Sequence, residues 1–258
     1  MLLYEHPLSS YVQKVKIALR EKGVAFTPEL PVGIGSGSAA GGFHAASLRN
    51  EVPALVDGDV RIFDSTVILE YIEDKFPTPP LLPRDPAERA RARMIEDICD
   101  THYEAINWGL GEINWFKRAE GALKDRLIAA ATQQTAQIQV WLERQLGERA
   151  WFNGANFGWA DLSVAPYLNR SFHYGIGPTP GSALDRWLTR IKERPSVAQT
   201  FTEFEGAKAG MANAAERLAS GQMRREYRDH RLEWMIKSGG IQVVLDGMTK
   251  HYIRFSWP

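Results

Sequence analysis

A single cysteine in 258 residues, Cys99, excludes an intramolecular disulfide framework and leaves no CxxC or zinc-ligand pattern. Excess charge of either sign is missing too, with 31 Lys and Arg against 31 Asp and Glu. Without a basic surplus, nucleic acid is not an expected partner. No apolar run approaches the ~18 residues of a membrane span. The first residues read as a strand and carry neither the charged nor the apolar region of a secretory signal. The expectation is a cytoplasmic globular protein with no membrane partner and no metal. Its length fits one large domain or two ordinary ones, enough to bury a real core.

The first eighty residues alternate strand and helix signals. Leu2-Leu3-Tyr4 reads as a strand. A helix from Tyr11 puts Val12, Val15 and Leu19 on one face, with Ala18 beside them, and stops at Gly23. Val24-Ala25-Phe26 restarts an extended segment, closed by Pro28 and Pro31, and the β-α-β order favours a parallel pair. Residues 32–42 are nearly all Gly, Ser and Ala and read as a mobile loop or a poorly formed helix. Asp57-Gly58-Asp59 between Pro53–Val56 and Val60–Phe63 predicts an antiparallel hairpin. Asp64-Ser65-Thr66 offers capping side chains for a helix with Val67, Ile68, Tyr71 and Ile72 on its apolar stripe. Pro77, Pro79, Pro80 and Pro83 end this part of the chain.

Beyond about Asp85 the pattern is helical, over Pro86–Trp115, Gly121–Leu146, Asp161–Phe172, Ser182–Glu193 and Val197–Leu218. The chain closes on a tail holding Tyr227, Trp234, Tyr252, Phe255 and Trp257. Arg224–Arg231 mixes charges as a solvated helix does, and the aromatic remainder is expected to cover the helical domain or the interdomain cleft.

Ser9 stands between the first strand and the first helix. A hydroxyl there, with helix N–H groups and the helix dipole, is placed to hold an anion. No His and Asp are positioned to make it a hydrolase nucleophile, and His6 is the one imidazole nearby.

Pro7-Leu8-Ser9-Ser10-Tyr11 with Lys14–Leu19, Val52-Pro53-Ala54-Leu55, Asp64-Ser65, Gly154 and Ala160-Asp161 occur in one order and spacing. Together they resemble the cytosolic glutathione transferase superfamily over about residues 1–210, as a serine-type bacterial member with a zeta- or omega-like active-site turn. The resemblance implies an α/β thioredoxin-like N-terminal domain (1–80), a linker (81–86), an all-α helical-bundle domain (87–215) and a C-terminal extension (216–258). It implies a homodimer that activates glutathione as a thiolate co-substrate for attack on a small hydrophobic or aromatic electrophile, as in detoxification. The alternative is a non-catalytic binding or regulatory protein of the same fold.

By that resemblance Ser9 is the catalytic hydrogen-bond donor to the sulfur, with Tyr4, Ser10 and Tyr11 as rival donors. Val52 pairs with the cysteinyl main chain beside a cis Pro53, although an X-Pro bond is ordinarily trans. Ser65 and the helix N–H groups take the γ-glutamyl carboxylate and Asp64 its ammonium, unless the pair is simply an N-cap. Arg49 or His44 takes the glycyl carboxylate. Tyr11, Tyr103 and Trp108 are candidate walls of the second-substrate pocket, and Trp115 is expected in the core. Asp97 or Asp100 reaches a partner subunit's glutathione or lies on a solvated helix face. Cys99 reads as a buried apolar residue. Gly158 in place of Ser or Thr leaves the capping box before Asp161 incomplete. The absence of cysteine at position 9 argues against glutathione–disulfide exchange.

Overall fold

Gly58 turns the hairpin, adopting φ 62 at the first position of a two-residue loop where a side chain would be strained. The strands it joins, β3 (Ala54–Asp57) and β4 (Val60–Phe63), are antiparallel. They complete a four-stranded sheet with β1 (Leu2–Tyr4) and β2 (Thr27–Glu29), in the order β2-β1-β3-β4. Strand β1 runs parallel to β2 and antiparallel to β3. Helix α1 (Ser10–Glu21) connects β1 to β2, the short α2 (Gly42–Ala46) precedes β3, and α3 (Ser65–Lys75) follows β4. This is a thioredoxin-like α/β domain. The computed structural model describes residues 1–35, 41–225, 227 and 229–253. Residues 36–40 of the Gly/Ser segment, positions 226 and 228 of the charged run, and Phe255 and Trp257 lie outside the described residues.

The second strand is displaced from its expected position at Val24–Phe26. The Val24 N–H bonds the Leu19 carbonyl and closes α1, while Val24 and Phe26 pack on the core without pairing. Pairing starts at Thr27, and Pro28 is tolerated because β2 is an edge strand.

The second domain is helical. It comprises α4 (Pro86–Ile98), α5 (Glu104–Asn114), α6 (Gly121–Leu146), α7 (Trp159–His173), α8 (Ala183–Lys192), α9 (Pro195–Lys208) and α10 (Ala214–Ala219). The expected helix Pro86–Trp115 is split by a π-helical turn at Cys99–Tyr103, which periodicity does not reveal. The expected Val197–Leu218 breaks at a 3₁₀ turn, Ala209–Met211. Helix α7 starts two residues ahead of Asp161. That carboxylate accepts from the Gly158, Asn153 and Phe152 N–H groups and from Trp187 Nε1. Gly158 has no side chain to return a bond, so only half the capping box forms. A Cβ there would lie 2.4 Å from the Leu81 carbonyl oxygen, so the close approach of linker and helix requires glycine.

Helix α1 lies between the domains and is buried almost all round, charged residues included. Lys14, 0 % exposed, reaches Glu96 at 2.7 Å and Asp100 at 2.6 Å. Glu96 also accepts from Thr66 Oγ1 at 2.9 Å and from Trp159 Nε1, and Asp100 accepts from the Tyr167 hydroxyl at 2.6 Å. Burial alone would lower the Lys14 pKa, but the two carboxylates more than offset that and hold the ammonium charged. Burial and neighbouring Glu96 push Asp100 up, against the pull of Lys14. Further along α1, Lys16 pairs with Glu5 and Glu203, and Lys22 with Glu73. Glu73 also accepts the Leu81 and Leu82 N–H groups of the linker.

Lys14→Met removes the cation and strands two buried carboxylates. It is expected to lower the free energy of unfolding by about 3–5 kcal/mol, read from urea denaturation. A loss below about 1 kcal/mol would show that the cluster behaves as a surface pair.

Candidate functional site

Three chain segments meet at one end of the sheet. Tyr4, the last residue of β1, pairs with Ala54, the first of β3, and Ala54 pairs with Phe63, the last of β4. The chain leaving β1 toward Ser9, the chain entering β3 through Val52-Pro53 and the chain leaving β4 into Asp64-Ser65 therefore emerge side by side. At about 4.8 Å per strand, the row spans about 10 Å.

Ser9 caps α1. Its backbone is extended, and its Oγ accepts from the Val12 N–H at 3.4 Å. The Ser9 N–H bonds the His6 carbonyl at 2.8 Å, and His6 Nδ1 accepts from the Leu8 N–H at 3.2 Å. Burial, with Arg170 and Arg217 nearby, lowers the His6 pKa and keeps the ring neutral in this acceptor role. His6 thus shapes the turn and is not a general base for Ser9. Each rival hydroxyl is placed elsewhere. Ser10 Oγ is buried, the Tyr11 hydroxyl donates to the Asp100 carbonyl at 2.7 Å, and Tyr4 is packed with Phe43 beneath α2. Ser9 is partly exposed.

The Val52–Pro53 peptide is cis, as the resemblance implied, and so is Thr78–Pro79, which no motif indicated. Val52 lies just outside the paired register of β3. Asp64, at φ 80, caps α3 by accepting from the Thr66 and Val67 N–H groups at 3.0 and 3.3 Å. Ser65 is the first helical residue and is buried. Arg49 lies beside this helix start. Its Nη1 is 4.0 Å from Asp64 Oδ2, and its guanidinium sits 5.3 Å over the Phe63 ring. Charge and ring together draw it there. His44, on α2, shares a 2.8 Å hydrogen bond with Asn50.

The expected aromatic wall needs correction. Tyr103 is fully buried, with its hydroxyl bonded to Ser171 and Gln139, because the π-helical turn directs it into the core. Trp108 is covered by the C-terminal extension: the Tyr227 ring meets it edge-on at 4.6 Å, and the Arg225 guanidinium lies 5.0 Å above it. Trp115, expected in the core, is half-buried instead. It sits just past the end of α5, where it lines a cavity of about 400 Å³ with Arg170 and Tyr174. The cavity adjoins the Ser9 turn, since Arg170 Nη1 donates to the Leu8 carbonyl at 3.5 Å. Arg170 carried no sequence signal beyond its place on α7. Tyr11, half-buried, packs against Tyr167 at the domain interface.

Asp100 is engaged by Lys14 and Tyr167 within the chain, whereas Asp97 is exposed. Cys99 is buried, and burial pushes its thiol pKa well up, so it is not a reactive thiolate. Among the described residues no group of three or more His, Cys, Asp or Glu is placed to hold a metal ion, and no helix is long and apolar enough to cross a membrane.

The extension bridges the two domains. The Arg224 N–H donates to the Gly35 carbonyl at 2.8 Å. Arg225 pairs with Glu112 and stacks on Phe116, and Tyr227 accepts from Arg118 at 2.8 Å. Beyond it, α11 (His230–Lys237) and α12 (Ile241–Thr249) pack on one another with Trp234 and Val243 exposed.

Two family models match the chain: "Glutathione S-transferase, N-terminal domain" over residues 3–80 and "Glutathione S-transferase, C-terminal domain" over residues 116–195. A stringent starvation protein A homolog from Histophilus somni is 27% identical over 207 residues, covering 79% of this chain and 91% of the relative. A maleylacetoacetate isomerase from Pseudomonas aeruginosa is 29% identical over 213 residues, covering 80% and 95%. The crystal structure of a glutathione S-transferase from Rhodospirillum rubrum F11 superposes with a TM-score of 0.68 at 27% identity, covering 78% of this chain and 91% of that one.

Tyr227→Ala uncovers Trp108. Acrylamide quenching of the Trp108 emission, taken as the difference from a Trp108→Phe protein, is expected to rise with the fold unchanged. Unaltered quenching would show that the extension does not cover this ring in solution.

Proposed function

The chain belongs to the cytosolic glutathione transferase superfamily, and from that premise we propose that it is a glutathione transferase whose Ser9 hydroxyl stabilises the glutathione thiolate for attack on a small, partly aromatic electrophile. The observation that carries this reading is the Tyr4–Ala54–Phe63 row, which aligns the Ser9, Val52 and Asp64-Ser65 segments over about 10 Å. An extended tripeptide, at about 3.3 Å per residue, has the same length. In this assignment Val52 pairs with the cysteinyl main chain by strand addition. Ser65 at the α3 N-terminus takes the γ-glutamyl carboxylate with Arg49, and Asp64, whose Oδ1 holds the Thr66 and Val67 N–H groups, takes the ammonium through Oδ2. His44 is left for the glycyl carboxylate.

A free thiol has a pKa near 8.5, and each unit of depression needs about 1.4 kcal/mol of preferential thiolate stabilisation. One hydroxyl donor to an anion contributes roughly 1.5–3 kcal/mol, helped by the α1 N-terminus. That supports a shift of about one to two units. Ser9 Oγ already accepts from Val12 N–H, which leaves its proton for the sulfur. The thiolate is then the nucleophile without any general base. A homodimer in the cytoplasm completes the reading, supported by membership of the family and by exposed Val67 and Met94 on neighbouring α3 and α4.

A second reading, a binding or regulatory protein of the same fold, is favoured by the similarity to a relative named for stringent starvation and not for transfer. Retention on immobilised glutathione separates the two, and no retention overturns the transferase.

For a retained protein, Ser9→Ala is expected to raise the kinetic pKa of the bound thiol by about one to two units. The rise of kcat/KM with pH, measured with chlorodinitrobenzene, then moves to higher pH, and the rate near pH 6.5 falls about 10- to 100-fold. Ser9→Thr should restore the profile. An unmoved profile removes Ser9 from thiol activation.

A further inference from the structure

We propose that the cavity between α5, α7 and α9 selects an aromatic molecule bearing a carboxylate or similar anion, with its ring against Trp115 and its charge between Arg170 and Lys208. As the description of the second substrate, this rests on the transferase reading; as a property of the cavity, it stands alone.

The lining joins the Trp115, Phe204 and Tyr174 rings to two cations, Arg170 and Lys208, with His173 and Asn114 beside them. Among the described residues no carboxylate lines it. Two acids meet these cations, and Glu205, itself exposed, also meets His173. Glu104 meets Arg170 Nη1 at 3.2 Å, and Glu205 meets Lys208 at 2.5 Å. Arg170 is only 7 % exposed, and its guanidinium lies 5.2 Å over the Trp115 ring. Its Nε is buried with no hydrogen-bond partner among the described residues. An uncharged ligand would shield these cations from water and return nothing for the lost hydration. An anion replaces that hydration with charge-assisted hydrogen bonds.

His173 contributes no charge of its own. Burial lowers its pKa, against the raising effect of Glu205, so at neutral pH it offers a ring nitrogen beside Lys208 Nζ at 3.3 Å. The formal net charge of the chain is +0, so a preference for anions cannot come from the overall field of the protein and must be local.

The test is calorimetric titration of the full chain with 3,5-dinitrobenzoate and with 1,3-dinitrobenzene, which share a ring and differ by one carboxylate. The benzoate is expected to bind roughly tenfold tighter or better. Lys208→Glu, at a partly exposed position, should abolish that preference and leave dinitrobenzene binding nearly unchanged, while Lys208→Arg should retain it. Trp115→Ala should weaken both ligands and so locate them in this cavity. Equal affinity for the two ligands, or a preference that survives Lys208→Glu, overturns the proposal. Neither ligand carries a leaving group, so the titration is silent on thiol chemistry. Anion preference without retention on immobilised glutathione would remove the transferase and keep the cavity's selectivity. Retention without anion preference would do the reverse.

Discussion

Lys14 is where the parts of this molecule are joined. One ammonium, wholly buried, sits between Glu96 and Asp100. Through those carboxylates it reaches Thr66 on α3 and Trp159 and Tyr167 on α7. Thr66 follows Ser65 and Lys14 lies five residues past Ser9, so the cluster fixes the relation between the two helix starts that frame the candidate tripeptide site. A buried ion pair is a poor source of net stability, because desolvation consumes much of the Coulombic gain. Its value here is directional. Apolar packing alone would let α1 slide or rotate between the sheet and the helical domain, whereas this arrangement of donors and acceptors is satisfied in one register.

The same helix shows how far the sequence could be read. Val12, Val15 and Leu19 mark a buried face, and the start and stop of α1 follow from that stripe and from Gly23. Lys14 and Lys16, on different sides of the helix, are residues expected in solvent, yet both are buried. Their partners Glu96, Asp100 and Glu203 lie far along the chain, and a local pattern cannot report a tertiary ion pair. Local chemistry was legible where it is self-contained. Asp64 caps its own helix, Gly58 turns its own hairpin, and Asp161 accepts from the Gly158 three residues before it. Features set by distant packing were not legible. The π-helical turn at Cys99–Tyr103 leaves no mark in the periodicity of α4 and α5, and it decides that Tyr103 points into the core. Trp108 reads as a pocket wall and Trp115 as core, yet Trp108 is covered and Trp115 lines the cavity. They part because α5 ends at Asn114 and because the extension reaches back to cover Trp108.

That cover also changes the shape of the interdomain cleft. Arg224 bonds the loop at Gly35, Arg225 and Tyr227 cover Trp108, and open space remains at Trp115. The cation-lined cavity itself is walled by residues of the helical domain, from Asn114 to Lys208.

Ser9 caps α1, and the task proposed for it draws on a different part of the same hydroxyl. As the N-cap of α1 it offers a lone pair to the Val12 N–H, and such caps contribute about 1 kcal/mol to helix stability. As a donor to sulfur it offers its proton. The tasks do not compete, since a hydroxyl has one proton and two lone pairs; accepting from a helix N–H polarises the O–H bond and makes the proton a better donor. The cap also fixes the side chain before any ligand arrives, so no rotamer entropy is lost when a thiolate binds. The stability role and the proposed chemical role therefore meet in one atom, and they separate only by measurement. Loss of the cap appears as lower stability at every pH, whereas loss of the donor appears as a displaced pH profile.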